Sequence, residues 1–383
     1  VSYPRILWLH RQKSAVSYYR SKTPAKWLKA QGYDITCPDE PYDKLMHPSV
    51  ENWLRDNIGE YDLLMTDRLV SYADLPFFAG FRHYSPGMRM VVDSDDDWRN
   101  VPWWNTSQSS YKPGLAVYES GKAHYKLSEL VTTSTEFLAQ QMADISHKTL
   151  CVPNAIDPAD WQHPVNPERA SDPHVRILYG GASGHFGDLD DARAGLEEVL
   201  ENPPVPLRLI CFGALPSWIH DLGRKYPDRV VRLPWVPFED YAAAVAWGGF
   251  DIALAPLADH VFNKSKSRIK FMEAAVQNIA FMCSDVGPYT EIPNGCAVKV
   301  GNTPTQWREG LTALLTDPDL RKRLREKALE ATLDSDVISK VGPRWISAIE
   351  TALSLPRIDS LESARLPSEQ IPATEAPSDQ PSV

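Results

Sequence analysis

The stretch Phe262–Glu291 reads FNKSKSRIKFMEAAVQNIAFMCSDVGPYTE. Its first half predicts a helix over Ser265–Val276, and its second half an apolar strand over Ile279–Cys283 followed by a Gly-Pro turn. Lys264, Lys266, Arg268 and Lys270 place four cations within seven residues. Ser265 and Ser267 are residue types that cap a helix or donate to a phosphate. On a helix, Lys266, Lys270 and Glu273 follow one another at spacings of four and three, near one face. Cations and free backbone N–H groups at a helix start suit a phosphate, and a carboxylate farther along accepts hydrogen bonds from sugar hydroxyls. The same residues also describe an ordinary solvated face carrying a Lys–Glu pair. Position favours the phosphate: the segment follows an apolar strand at Asp251–Ala255, and ligands of open α/β sheets bind beyond the carboxyl ends of strands.

Working outward, short apolar runs alternate with helical patterns. Arg5–Leu9 (RILWL) reads as a first strand, and a helix over Pro24–Gln31 is stopped by Gly32. Further strands are expected at Tyr33–Cys37, Tyr61–Thr66, Met88–Asp93, Glu129–Thr133 and Thr149–Val152, with helices at Ala73–Phe81 and Ser134–Ala143. Val165–Pro173, polar and Pro-containing, reads as a linker. The alternation restarts at Val175–Tyr179 and continues through Leu207–Cys211, Val230–Leu233, Asp251–Ala255, Ile279–Cys283 and Ala297–Val300. Apolar strands separated by helices imply parallel sheets covered on both faces. The expected class is α/β: two Rossmann-like doubly wound domains facing a central cleft. Residues 1–160 form the first and 161–333 the second; a closing helix spans 334–355 and a disordered tail 356–383.

The glycine-rich stretch Tyr179–Asp188, YGGASGHFGD, follows the first strand of the second domain. Gly181 lets backbone approach a ligand, Ser183 and His185 lie on the same turn, and His185 and Asp188 are close enough to meet. It matches neither the G-x-G-x-x-G fingerprint nor a Walker loop, and a flexible connection is the alternative. In the first domain, His10–Arg20 follows the first strand and makes His10 and Arg20 acceptor-side or phosphate candidates; a basic surface loop is the alternative. The acidic run at Asp93–Asp97 contains an Asp-x-Asp pattern of the kind that suits a hard divalent metal, but a loop shaping the acceptor side is preferred. Asp95, Asp96 and Trp98 are assigned there, and Trp103 and Trp104 extend a candidate carbohydrate platform. No metal ligand set is expected, and a divalent metal is not obligatory.

Bulk properties narrow the class. The chain has 383 residues, 43% hydrophobic and 23% charged, with a net charge of -10. That charge argues against a surface built for DNA or anionic membrane, although a local basic patch can coexist with it. Five Cys without metal-ligand spacing read as reduced thiols and suit the cytoplasm. No signal peptide and no apolar run of the ~18 residues that a membrane span needs is seen.

Three segments together resemble the GT-B-fold glycosyltransferases, in particular the broad family-4-like group of nucleotide-sugar enzymes. They are LVTTSTEF with VPNAID (Leu130–Phe137, Val152–Asp157), YGGASGHFGDLDD (Tyr179–Asp191), and the segment from Phe262 to Ile292. The resemblance implies a donor domain in the second half, and sugar transfer from a UDP- or GDP-sugar with retention of configuration and no required metal. It places Glu273 on the ribose, Gly181, Ser183, Asn263, Ser267 and Tyr289 around the donor, and the final helix back on the first domain. The family's first Glu, eight residues earlier, is Ser265 here. Its usual Arg…Lys pair is absent from the glycine loop, so Lys266 and Lys270, with His185 beside them, are the catalytic candidates for stabilising the leaving diphosphate. An inverting route would draw a base from His10, Asp95 or His124. The acceptor is left open among glycan, protein and modified nucleic acid, as is the oligomeric state. A nucleotide-sugar epimerase or hydrolase and a non-catalytic nucleotide-sugar-binding protein are the alternatives.

Overall fold

The structure, a computed structural model, describes residues 3–41, 52, 56, 58–68, 78, 80–81, 85 and 87–358. Most of the helix expected at Ala73–Phe81 and all but 356–358 of the tail expected at Pro356–Val383 lie outside the described residues. The chain divides into two compact units. Unit 1 holds the described residues of Val1–Asn100, Ser109–Asn154 and Val341–Ser382; unit 2 holds those of Val101–Gln108 and Ala155–Lys340.

In unit 1, strands β1 (Arg5–Leu9), β2 (Asp34–Thr36), β3 (Leu63–Asp67), β4 (Arg89–Ser94), β5 (Leu130–Thr133) and β6 (Thr149–Cys151) pair in parallel in the order 2-1-3-4-5-6. Their apolar residues, such as Ile6, Leu64, Val92 and Val131, are fully buried, as a sheet covered on both faces requires. Each fully buried Leu, Ile or Met contributes about 1.5–3 kcal/mol. The Thr23–Ala30 helix ends before Gly32, whose φ of 95° reverses the chain. One turn of π-helix at Tyr18–Lys22, which the residue pattern does not announce, precedes it and turns Tyr19 and Arg20 inward. The Ile338–Ser354 helix belongs to unit 1 from Val341 onward. Trp345 meets Trp8 edge-on at 5.0 Å, and a Cβ at Gly342 would sit 2.5 Å from the Trp27 ring.

In unit 2, strands β7 (Val175–Gly181), β8 (Leu207–Gly213), β9 (Val230–Leu233), β10 (Ile252–Ala255), β11 (Ala280–Ser284) and β12 (Val298–Val300) form a second parallel sheet in the order 12-11-10-7-8-9. Counted within the unit this is 3-2-1-4-5-6, the Rossmann order, and the strand order reverses between β7 and β10. The core centres on Trp307, Leu196, Leu209, Ile252 and Met282. The Phe186–Glu201 and Pro304–Thr316 helices approach closely at Gly195, where a Cβ would lie 2.6 Å from the Pro304 carbonyl oxygen.

The expected α/β class with two Rossmann-like domains is the observed one. Three local expectations are corrected. β7 runs through Gly180 and Gly181, which pair with Phe212 and Gly213. The expected linker at Val165–Pro173 instead contains a 3-10 helix, Pro167–Ser171, and is anchored: Arg169 donates to the Gly249 carbonyl at 2.7 Å and pairs with Asp251. The helix expected at Ser265–Val276 begins only at Ile269, and a separate short helix, Val261–Lys264, precedes it. Ser265 ends the first, with its Oγ donating to the Val261 carbonyl at 3.1 Å, and Arg268 starts the second while paired with Asp336 at 2.7 Å. Lys266 therefore sits in the break, not on a helix face shared with Lys270 and Glu273.

Candidate functional site in unit 2

The reversal between β7 and β10 brings together the loops that follow them. Asp188, in the first turn of the Phe186–Glu201 helix, is fully buried. Its Oδ1 accepts from the Ala258 N–H at 3.0 Å and from Asn263 Nδ2 at 2.6 Å, and its Oδ2 pairs with His185 Nδ1 at 2.7 Å. Asn263 Nδ2 also donates to the Ala258 carbonyl at 3.0 Å, so the Val261–Lys264 helix and the Phe186–Glu201 helix are tied at one carboxylate. Burial pushes the Asp188 carboxyl up, but the His185 hydrogen bond and charge, the Ala258 N–H and Lys266 outweigh it and hold it below the ordinary range. Burial lowers His185 to about 4, and Lys270 and Lys266 reinforce this against the pull of Asp188. The imidazole is then neutral with its proton on Nδ1, which leaves Nε2 as an acceptor.

The four cations of the opening stretch divide by partner. Lys264 pairs with Asp259 at 2.7 Å and Arg268 with Asp336. Lys266 lies over the Phe262 ring at 4.5 Å and Lys270 over the Tyr179 ring at 5.7 Å. Both act electrostatically on Asp188 and His185. Burial lowers Lys270 to about 8, with Asp188 opposing and Lys266 adding to the shift. Two positive charges beside the end of β7 and the start of a sixteen-residue helix make this region favourable to an anion.

Beside the cations, a cavity of about 30 Å³ is lined by Trp161, Gly180, Tyr241, Lys270 and Glu273. It has room for a water-sized group, far less than the roughly 300 Å³ or more of a small-molecule pocket. Burial, then the Glu273 charge, raises the Tyr241 phenol above its ordinary value. A Cβ at Gly180 would stand 3.1 Å from Tyr241 Oη, and one at Gly181 2.8 Å from Tyr179 Oη, so glycine at these positions leaves room for the Tyr241 ring and for the Tyr179 ring of β7 itself. Tyr289 is buried with its ring 5.6 Å from Phe281, and Ser267 is half-buried at the helix break. The residue pattern gives no role to Tyr241, Trp161 or Trp218, whose indole donates to Asp190 at 2.8 Å; an aromatic in a helix or loop carries no sign of which sheet it will cover.

Unit 2 also includes the segment Val101–Gln108. Thr106 Oγ1 is 3.1 Å from Ser183 Oγ, and the Trp104 ring is 5.4 Å from the His260 ring. Trp103 is 81% exposed and Trp104 only partly, so the expected Trp platform is divided among three environments.

The acceptor-side candidates lie in unit 1. His10 directly follows β1 and is buried; burial and then Lys22 keep it below its ordinary pKa. Next to it, the Arg11 N–H donates to Asp67 at 2.9 Å. Burial and then Asp96 raise Asp95 to about 7, and burial with Asp93 contributes to raising Asp67 to about 6. Asp96 is half-buried. Arg20 and Trp98 have internal partners. Arg20 is 1% exposed, donates to both Asp93 oxygens at 2.9 and 2.7 Å and to the Val152 carbonyl at 2.6 Å, and lies over Trp345. Trp98 is also 1% exposed, and its indole donates to Tyr125 Oη at 3.1 Å. Both therefore pack the unit rather than face solvent. His124, fully buried beside Phe78, is lowered by burial to about 3. Among the described residues no group of three or more His, Cys, Asp or Glu side chains could hold a metal ion, and no helix is long and apolar enough to cross a membrane.

No protein-family profile matches the sequence, and no curated protein is similar to it in sequence. Its structure is similar to that of a glycosyltransferase from Rickettsia africae ESF-5, with a TM-score of 0.64 and 12% identity over 92% of this chain and 99% of that one. The catalytic domain of starch synthase IV from Arabidopsis thaliana, bound to ADP and acarbose, gives a TM-score of 0.65 at 10% identity over 92% of this chain and 100% of that one. Anabaena HepE in complex with UDP-glucose gives 0.60 at 13% identity over 91% of this chain and 100% of that one. The chain has the GT-B glycosyltransferase fold.

Proposed function

We propose that this protein is a glycosyltransferase that moves a sugar from a nucleotide-sugar donor to an acceptor hydroxyl, with unit 2 binding the donor. The observation that carries the reading is the Asp188 junction with Lys266 and Lys270 beside it. Sugar transfer leaves negative charge on the departing diphosphate, and preorganised cations and N–H groups aimed at developing charge supply the largest share of catalysis in such sites. Lys266, Lys270 and the start of the Phe186–Glu201 helix take that role, Ser183 and His185 line the phosphate or sugar, and Glu273 takes the ribose. Gly181, Asn263, Ser267 and Tyr289 complete the donor side. A UDP- or GDP-sugar and retention follow from the family resemblance, and the structural neighbours' UDP-glucose and ADP complexes are compatible with a nucleotide ligand. Acceptor recognition falls to His10, Asp95 and Asp96 in unit 1. Free cysteines throughout suit a reducing compartment such as the cytoplasm.

A second reading, a nucleotide-sugar-binding protein without transfer activity, is favoured by Ser265: it is buried and its hydroxyl caps a helix where the family pattern has a carboxylate. A panel of UDP-, GDP- and ADP-glucose, followed by nucleotide release and by thermal stabilisation, separates the two. A ligand at a hundred times its Kd stabilises by about 2.7 kcal/mol. Stabilisation with sugar-dependent release supports transfer or hydrolysis, which detection of a glycosylated product distinguishes. Stabilisation alone supports the binder, and neither response from any donor refutes both.

A further inference from the structure

The segment Val101–Gln108 follows the acidic run of unit 1 in sequence, yet its contacts lie in unit 2. Trp104 is its anchor. The Cβ positions of two glycines in the donor loop are filled by this segment: at Gly187 by the Trp104 ring, 2.5–2.9 Å away, and at Gly184 by Asn105 Nδ2 at 2.9 Å. The Trp104 ring also meets the His260 ring, with centroids 5.4 Å apart and planes at 72°. His260 in turn caps the Val261–Lys264 helix, its Nδ1 accepting from the Phe262 N–H at 3.2 Å. Gly187 immediately precedes Asp188, and His260 precedes Asn263 by three residues. The indole thus wedges between the two elements whose side chains meet at the Asp188 carboxylate. Among the described residues its own N–H is buried without an acceptor, so the ring acts here by shape.

We propose that Trp104 is a positioning residue of the donor site: packed between Gly187 and His260, it sets the spacing at which His185, Asp188 and Asn263 engage and holds the Ser183–His185 turn for a nucleotide sugar. The inference rests on the proposed donor-binding function. It also explains why position 187 is glycine, since in that helix turn Gly costs about 1 kcal/mol relative to Ala and only Gly admits the ring.

The test is a cycle of Trp104→Ala, Gly187→Ala and the double variant, with Trp104→Phe as rescue. Calorimetric Kd values for UDP-glucose and for UDP are measured, with melting temperature as the folding control. Trp104→Ala and Gly187→Ala each weaken binding by about tenfold or more, because small misplacements of binding groups cost that much. The double variant binds no worse than either single, because the added methyl group and the ring no longer compete for one space. Trp104→Phe, which keeps an aromatic ring but gives up the second fused ring and the N–H, recovers part of the loss and binds more tightly than Trp104→Ala. Additive losses, or unchanged Kd in both single variants, overturn the proposal. Should the parent bind no nucleotide, the donor-binding reading fails by itself. NMR titration of the His185 imidazole then decides the positioning role: a pKa that rises in Trp104→Ala and returns in Trp104→Phe supports it, and an unmoved titration refutes it.

Discussion

Replacing Asp188 by Ala or Asn separates the two tasks of this residue, support of the fold and orientation of His185. The carboxylate is fully buried and accepts from three partners, His185, the Ala258 N–H and Asn263. A hydrogen bond to a charged group contributes about 1.5–3 kcal/mol, but the desolvation of Asp188 offsets much of the sum. Breaking a buried charged network from one side costs about 3–5 kcal/mol. Asp188→Ala is therefore expected to destabilise unit 2 by that amount, lowering its calorimetric transition by about 6–20 °C on the scaling for a domain of this size. Asp188→Asn behaves differently. Its amide oxygen can stay against Ala258 and Asn263, the two donors on Oδ1, while its NH₂ faces His185 Nδ1. The cost is then about 1 kcal/mol, and the imidazole proton moves to Nε2. The group that His185 offers outward changes from acceptor to donor. If that acceptor assists the reaction, turnover falls by about a hundredfold or more in a variant that melts nearly as the parent does. Differential scanning calorimetry of both variants, with nucleotide release and NMR assignment of the His185 tautomer, reads each part. Equal destabilisation by Asn and Ala, or an Asp188→Ala loss below about 1 kcal/mol, would refute the network as the support of this site.

Two further outcomes follow from the charges. Lys270 is lowered to about 8 by burial, so it carries its charge at neutral pH and loses it as pH rises through that value. Affinity for the nucleotide diphosphate should fall above pH 8 in the parent but not in Lys270→Arg, whose guanidinium stays charged, and a pH-independent parent would exclude Lys270 from the anion site. Among the described residues, Arg20→Ala leaves buried Asp93 with Thr132, at 2.6 Å, as its remaining side-chain donor. It should cost unit 1 about 3–5 kcal/mol while leaving UDP-glucose affinity within about twofold, and calorimetry of unfolding and of binding checks both.

How far the site could be read from residues alone depends on the range of the interactions that build it. The strands of unit 2 are legible because both faces of a parallel sheet are buried, which leaves unbroken apolar runs such as Ile252–Ala255 and Ala280–Cys283. The pair His185–Asp188 is legible because one helical turn separates its members. The break at Ser265–Arg268 is not: local propensity continues a helix there, and the opposing influence is Arg268's ion pair with Asp336, sixty-eight residues away. Arg20 reads as an exposed loop cation because its partners, Asp93 and Val152, are 73 and 132 residues distant.

The sequence by itself therefore determined the α/β class and the placement of Lys266, Lys270 and Glu273 after an apolar strand. These follow from periodicity and from the chemistry of neighbouring residues. Only the tertiary structure decided which of the four cations are taken by Asp259 and Asp336, that Asn263 closes on Asp188, and that Trp104 fills the space at Gly187. Each of those depends on strand order: placing β10 beside β7 sets loops about 75 residues apart against one another, and hydrophobic burial of the whole sheet enforces that order.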